Sequence, residues 1–249
     1  LRIEKNSIKK VPGGSKSWKE SKFSSIKSLT RPEVVEKLSE RGFLPAIFFI
    51  FSRAGCDGAV ASCIREGLSL TNSLEKEEIR RVIALKTHEL PSEDFGVLGF
   101  HEWAQALERG IAAHHAGLLP MFKETIEELF QRGLLKIVFA TETLALGINM
   151  PARSVVLEKL VKWNGESHVN VSPGEYTQLT GRAGRRGIDI EGNALILWNE
   201  QMDSSIAAGL ASTRTYPLRS SFSPTYNMSA NLISRFGHER ARKSLGFSF

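Results

Sequence analysis

Cysteine is scarce in this sequence, long apolar runs are missing, and over most of the chain neither sign of charge is in excess. Among 249 residues there are two cysteines, Cys56 and Cys63. Two helical turns apart on one expected helix, they stand about 10 Å from each other, beyond the reach of a disulfide. Two ordinary thiols in a reducing compartment are expected, with the cytoplasm as the location. No stretch approaches the roughly 20 apolar residues that cross a bilayer, so no membrane partner is expected. No cleavable signal segment is expected at the start. No His, Cys and carboxylate set has the spacing of a zinc site, so no metal ligands are assigned. A phosphate loop of the form Gly-x-x-x-x-Gly-Lys-Ser/Thr is absent. Its nearest approach, Gly13-Gly-Ser-Lys-Ser17, lacks the glycine before lysine and any preceding β-strand. The spacing of Gly181, Gly184 and Gly187 also excludes the dinucleotide fingerprint of Rossmann folds.

The net charge of +6 lies in the first 27 residues, which hold eight Lys or Arg against two acids, while the remainder holds 25 of each sign. Composition therefore gives no sign that the folded body binds nucleic acid. A basic tail can hold phosphate by counterion release, but a solvated segment is the simpler reading. With Pro12-Gly13-Gly14-Ser15-Lys16-Ser17 and no apolar period, residues 1–27 are expected to be a basic linker or insertion in a longer protein. The 41% hydrophobic and 24% charged composition fits a globular body with a sizeable core.

Past this tail, short apolar runs alternate with amphipathic segments. Ala46 to Phe51 reads as a buried β-strand, and Asp57 to Glu66 as a helix stopped by Gly67. Asn72 and Glu75 form a capping box before a helix containing Ile79, Val82 and Ile83. Gly110 to His114 reads as a strand. Phe122, Ile126, Leu129 and Phe130 then recur at helical spacing from Pro120 to Gly133, and Leu135 to Ala140 reads as a second strand. That strand–helix–strand unit builds parallel sheets. Asn164-Gly165 marks a hairpin between Val155 and Val171, and Asn193 to Trp198 supplies a last strand. An open α/β sheet over about Ser28 to Trp198 is expected. From Tyr216 an extended, proline-containing connection leads to a helical stretch starting at Tyr226.

One segment carries the chemistry, Ser172-Pro-Gly-Glu-Tyr-Thr-Gln-Leu-Thr-Gly-Arg-Ala-Gly-Arg-Arg-Gly187. Ser172 and Glu175 make a capping box, Pro173 suits the first helical position, and Gly187 is a plausible stop. On a helix of that length Gln178, Arg182 and Arg185 share one face. Two guanidiniums and an amide so arranged suit a triphosphate, because arginine presents a planar, permanently charged fork to phosphate oxygens. Gly181 and Gly184 would let another body approach closely. The bland alternative, basic residues offsetting a helix dipole, explains the charge but neither the glycines nor the register.

This segment resembles the last conserved motif of superfamily-two helicases, Gln-x-x-Gly-Arg-x-Gly-Arg, and Arg185-Arg186-Gly187 is similar to the superkiller family of DExH-box RNA helicases. Ala140-Thr-Glu-Thr-Leu-Ala-Leu-Gly-Ile-Asn-Met-Pro151 looks like the fifth motif. Ile111-Ala-Ala-His-His-Ala-Gly-Leu-Leu-Pro120 looks like the His-His-Ala-Gly element, and Phe48-Phe-Ile-Phe-Ser-Arg53 like the fourth motif. Four motifs in order, from about Pro45 to Tyr226, are specific. The resemblance implies the second RecA-like domain of a helicase over residues 28–215, a three-layer parallel α/β sheet of P-loop NTPase type. Residues 216–249 would be a connector and the start of a following helical domain, a short C-terminal helical extension.

Carried over, the family implies Gln178 and Arg182 near the γ-phosphate and Arg185 as the arginine finger. Gly147 and Asn149 would sit near the nucleotide. Ser52, Arg53, His115, Gly117, Thr141, Glu142 and Thr143 would line the track of a single nucleic-acid strand. ATP and Mg²⁺ would be held mainly by the first RecA-like domain of the parent chain, since neither the phosphate loop nor an Asp-Glu-x-His motif occurs here. This chain alone is then expected to hydrolyse no ATP. Single-stranded RNA is the expected partner, with DNA as the alternative, and a non-catalytic nucleic-acid-binding scaffold of helicase-like fold is the rival from another class. Simpler readings stand beside these roles. Adjacent His114 and His115 point to opposite faces of a strand end, so one is expected to face the core. Thr141 and Asn149 also suit plain turn positions.

Overall fold

The computed structural model describes residues 29–145, 150–198, 202–212 and 224–246. Its body is a five-stranded sheet built from β1 (Ala46–Phe49), β2 (Ile111–His114), β3 (Ile137–Ala140), β4 (Ser154–Leu157) and β7 (Asn193–Ile196), in the order β2-β3-β1-β4-β7. Every neighbouring pair is parallel, with Phe48 opposite Phe139 on one side and Val156 on the other. Parallel strands are covered on both faces and so read as continuous apolar runs. Ala-Ile-Phe-Phe and Ile-Val-Phe-Ala do so, and all eight residues are buried.

Alternation along each strand sorts these side chains into two cores. Ala46, Phe48, Ile111, Ile137, Phe139 and Val156 face α1 (Arg31–Glu40) and α2 (Arg53–Arg65). Ile47, Phe49, Ala112, Val138, Ala140, Val155 and Leu157 face the other layer. That layer holds α3 (Ser73–Lys86), α4 (Phe100–Glu108), α5 (Pro120–Gln131), α6 (Pro173–Thr180) and α7 (Ser204–Ser212). The expected three-layer parallel α/β fold is therefore present. Full burial of one such Phe contributes about 1.5–3 kcal/mol. Cys56 and Cys63 are buried free thiols, each pushed up to about 12 chiefly by burial.

Local signals explain most helix starts. Thr30, Asn72 and Ser172 each close a reciprocal capping box, with Glu33, Glu75 and Glu175. Three helices absent from the sequence reading, α1, α4 and α7, complete the layers. Helix α2 begins four residues earlier than Asp57, because Ser52 Oγ caps it by accepting from the Gly55 N–H. The Asn164-Gly165 hairpin is present as β5 (Val161–Trp163) paired antiparallel with β6 (His168–Asn170). Asn164 Oδ1 closes its loop by accepting from the Glu166 and Ser167 N–H groups. Two further helices, α8 (Tyr226–Phe236) and α9 (His238–Gly246), pack against each other. No helix among the described residues is long and apolar enough to cross a membrane.

Candidate functional site

The carboxyl ends of β2, β3 and β1, neighbours in the sheet, bring three of the singled-out loops together. Ile50 N–H donates to the Ala140 carbonyl, and Thr141 N–H to that of His114, so the strand ends are stitched to each other. Ser52 and Arg53 leave β1 at the exposed start of α2. Thr141 begins the loop after β3, its hydroxyl 2.9 Å from that of exposed Thr143, and Glu142–Ala145 form a single 3₁₀ turn. Exposed Gly117 belongs to the loop after β2, and a Cβ placed there would lie 3.6 Å from Arg53 Cδ.

His115 stands in this group but is not presented to it. Its side chain is 6% exposed, with Nε2 2.9 Å from Asp57 on α2 and Nδ1 accepting from the Gly117 N–H. Since Nδ1 accepts, Nε2 carries the proton donated to Asp57. His115, expected along the strand track, is a covered clasp inside the loop, and Ser52, Arg53, Gly117 and Thr143 are exposed at the edge. His114 points to the opposite face, 2.9 Å from Glu127 of α5, and its buried Nδ1 has no hydrogen-bond partner among the described residues. Both histidines are covered, where one was expected to be. A cavity of about 330 Å³ opens beside them, lined by His114, His115, Lys123, Glu127 and Thr143 among others.

The arginine segment departs further from expectation. Helix α6 ends at Thr180, with Gly181 as its cap, rather than continuing to Gly187. Arg182 and Ala183 N–H bond back three residues, to Leu179 and Thr180, tightening the final turn. The chain then leaves the helix because Ala152 competes for its backbone. Ala152 N–H donates to the Arg182 carbonyl at 2.9 Å, and Gly184 N–H to the Ala152 carbonyl at 2.7 Å. Gln178, Arg182 and Arg185 therefore do not share one helix face. Gln178 is exposed on α6, Arg182 follows in the tightened turn, and Arg185 lies in the loop beyond.

The glycines receive a structural reason with the same stroke. Gly184 sits at φ +91°, a region open to glycine, and a Cβ on Gly192 would come within 2.5 Å of the Ala183 carbonyl group. Close packing of this loop against the amino ends of β4 and β7 requires both. Arg185 meets a residue the sequence reading missed, Asp189. Nε and Nη2 donate to its two carboxylate oxygens at 2.8 and 2.9 Å, and the Arg185 N–H donates to the same carboxylate at 2.9 Å. The Arg185 hydrogen bonds pull the Asp189 carboxyl down to about 2. Spacing of four residues between opposite charges was the available signal, passed over because the helix is expected to stop at Gly187, before Asp189.

The strand loops occupy the carboxyl edge of the sheet, and the arginine loop its amino edge. Helix α6 joins them. At its start Lys162 of β5 bridges Glu175 and Glu142, and at its end Arg182 Nη2 donates to the Ala145 carbonyl at 2.5 Å. Gly147 and Asn149 lie outside the described residues. Among the described residues no group of three or more His, Cys, Asp or Glu side chains is placed to hold a metal ion.

The helicase conserved C-terminal domain matches residues 68–187. The chain is 60% identical to the probable helicase HelY of Mycobacterium tuberculosis over 219 residues, 88% of this chain and 24% of that protein. It is 40% identical to the antiviral helicase SKI2 of Saccharomyces cerevisiae, over 88% of this chain and 17% of that protein. Identity to the human exosome RNA helicase MTR4 is also 40%, over 81% of this chain and 19% of that protein. This chain belongs to the superkiller-like DExH-box helicases, as their C-terminal domain. The sheet described above is the RecA-like fold of that domain. The chain spans a quarter or less of the length of these curated relatives.

Proposed function

We propose that this domain is the second motor half of an ATP-dependent RNA helicase. It delivers Gln178, Arg182 and Arg185 to a triphosphate cradled by a first RecA-like domain of the same parent chain. It grips single-stranded RNA along the carboxyl edge of its sheet. The observation that carries the reading is the convergence of Ser52, Arg53, Gly117, Thr141 and Thr143, from three adjacent strands, on one edge. In open α/β sheets that edge is where ligands bind. Hydroxyls and a guanidinium there suit phosphate contacts, which hold a strand without reading its sequence. Relatives of this chain named exosome RNA helicase and DExH-box ATP-dependent RNA helicase support RNA over DNA.

The residues present fit one side of a triphosphate. Gln178 is exposed, and no described residue bonds the Nη1 edge of Arg185. When bound, ATP with Mg²⁺ supplies the phosphoryl bond whose cleavage drives the motor. Arg185 offsets charge growing on the transferring group, an effect worth about 10³ to 10⁵ in rate where such fingers act. Arg182 ties this segment to the Thr141–Ala145 loop, and α6, about 12 Å long, carries displacement from one edge to the other. Motion becomes directional only if the two states hold the strand differently. In this reading residues 28–215 are the RecA-like domain, 216–249 lead into a helical domain, 1–27 are a basic linker or insertion, and the protein works in the cytoplasm.

The test uses the full-length protein, assayed for ATP turnover with and without single-stranded RNA, beside Arg185→Ala. RNA-stimulated turnover that the variant loses while retaining RNA binding is the expected result. An indifferent Arg185, or no stimulation, would favour a scaffold that keeps a helicase-like fold, and stimulation by DNA alone would make it a DNA helicase. The present chain by itself is expected to hydrolyse no ATP.

A further inference from the structure

We infer that Asp189 is the positioning residue that aims Arg185 across the domain interface, an inference that rests on the finger role proposed above. The geometry is side-on. Asp189 takes Nε and Nη2 at 2.8 and 2.9 Å, and no described residue bonds Nη1. A guanidinium held by one edge of its fork keeps the other edge free for a second planar acceptor, such as a phosphoryl group. The same carboxylate accepts from the Arg185 backbone N–H at 2.9 Å, and Asp189 N–H returns a bond to the Arg185 carbonyl at 3.0 Å. The five-residue loop is therefore closed on itself, and the tip of the arginine is referenced to its own main chain.

Burial divides the pair in the same sense. The Asp189 side chain is 5% exposed and that of Arg185 24%, so the carboxylate is the fixed partner and the guanidinium reaches outward. Neighbouring Arg186 is exposed, and Arg182 donates to the Ala145 carbonyl. An arginine has many rotamers, and those that point away from the phosphates contribute nothing to the transition state. Asp189 removes most of them before the cleft closes. With its carboxyl at about 2 it stays ionised at any working pH.

The experiment compares Asp189→Asn, Asp189→Glu and Arg185→Ala in the full-length protein. Turnover constants for ATP are measured at saturating single-stranded RNA, and affinities for ADP and for ADP with aluminium fluoride, a mimic of the transferring phosphoryl group. Asp189→Asn is expected to lower kcat about 10- to 100-fold with KM little changed, the cost of about 1 Å of misplacement. Affinity for the fluoride complex should fall in proportion while that for ADP holds, a split that a loss of folded protein does not produce. Asp189→Glu keeps the charge and moves the fork by about 1.5 Å, one C–C bond. The same split is expected of it, which keeps the test open if the asparagine variant does not fold. Wild-type turnover in both Asp189 variants beside a dead Arg185→Ala overturns the role of Asp189 alone. An active Arg185→Ala removes the finger and Asp189's role with it. Faster turnover in Asp189→Asn would make the carboxylate a brake and overturn the inference as well.

Discussion

The Lys162 ammonium nitrogen lies 2.6 Å from the Glu175 carboxylate, and the same nitrogen meets Glu142 at 2.5 Å. Three elements therefore share one cation: the hairpin that holds Lys162, the loop of Thr141 and Thr143, and the first turn of α6. Burial disfavours the charge on Lys162, but the hydrogen bonds to Glu142 and Glu175 outweigh it and raise the affinity for the proton. Glu175 has a second duty, since its other oxygen accepts from the Ser172 N–H and completes the capping box.

Replacing Lys162 by Met leaves two carboxylates facing each other. Both are more than a third exposed, so screening limits the stability loss to about 1 kcal/mol. A fall of about 2–4 °C in Tm is expected for a domain of this size. Adding Glu142→Gln should restore part of it by removing one of the like charges. Additive losses in the double variant, read by calorimetry, would show that the three groups do not act together.

Gly192→Ala should destabilise the protein by about 1–3 kcal/mol, as overpacking does, because the new methyl would meet the Ala183 carbonyl group 2.5 Å away. The denaturation midpoint should drop without a change in slope. Gly184→Ala is expected to fall in the same direction, since its φ of +91° strains any L side chain. A neutral result at Gly192 would mean that the loop carrying Arg185 can lift off β7 freely.

Asp57→Ala removes the acceptor for His115 Nε2 and so loosens the clasp on Gly117. One hydrogen bond is worth about 0.5–1.5 kcal/mol, so affinity for a labelled single-stranded RNA should weaken about two- to tenfold at fixed salt. ATP turnover without RNA should not change. Equal affinity would show that the order of this loop is irrelevant to strand binding.

Burial holds the His114 imidazole below its ordinary value of 6.5, against the opposing pull of Glu127. An unfolded chain then binds more protons than the fold in that window, and stability rises with pH there. The contribution is complete above about 6.5 and is lost as pH falls through the depressed folded value. Thermal midpoints should therefore decline from pH 7 to 5, and His114→Gln should flatten the decline. An unchanged slope in that variant would assign the acid sensitivity to other groups.

Much of this was legible in the residues. Capping boxes at Asn72 and Ser172 and the hairpin at Asn164 are local hydrogen-bond patterns, and each occurs as read. The strands were legible because both faces of a parallel sheet are covered, which leaves apolar runs too short for anything but a strand. Helix α4 was passed over because its first residue follows Gly99 with no side-chain cap to announce it. The cover over His115 was not legible, because its partner Asp57 lies 58 positions away.

What the sequence determined by itself was therefore the layered α/β body and the company its motif residues keep at β-strand ends. Hydrophobic period and capping act within a few residues, and no distant partner has to be known to apply them. Where α6 stops was decided by the tertiary structure. A helix to Gly187 would use the Arg182 carbonyl and the Gly184 N–H within itself, but the Ala152 backbone takes both. That competition, settled by a chain segment some thirty residues earlier, takes Arg185 off the helix and hands it to Asp189.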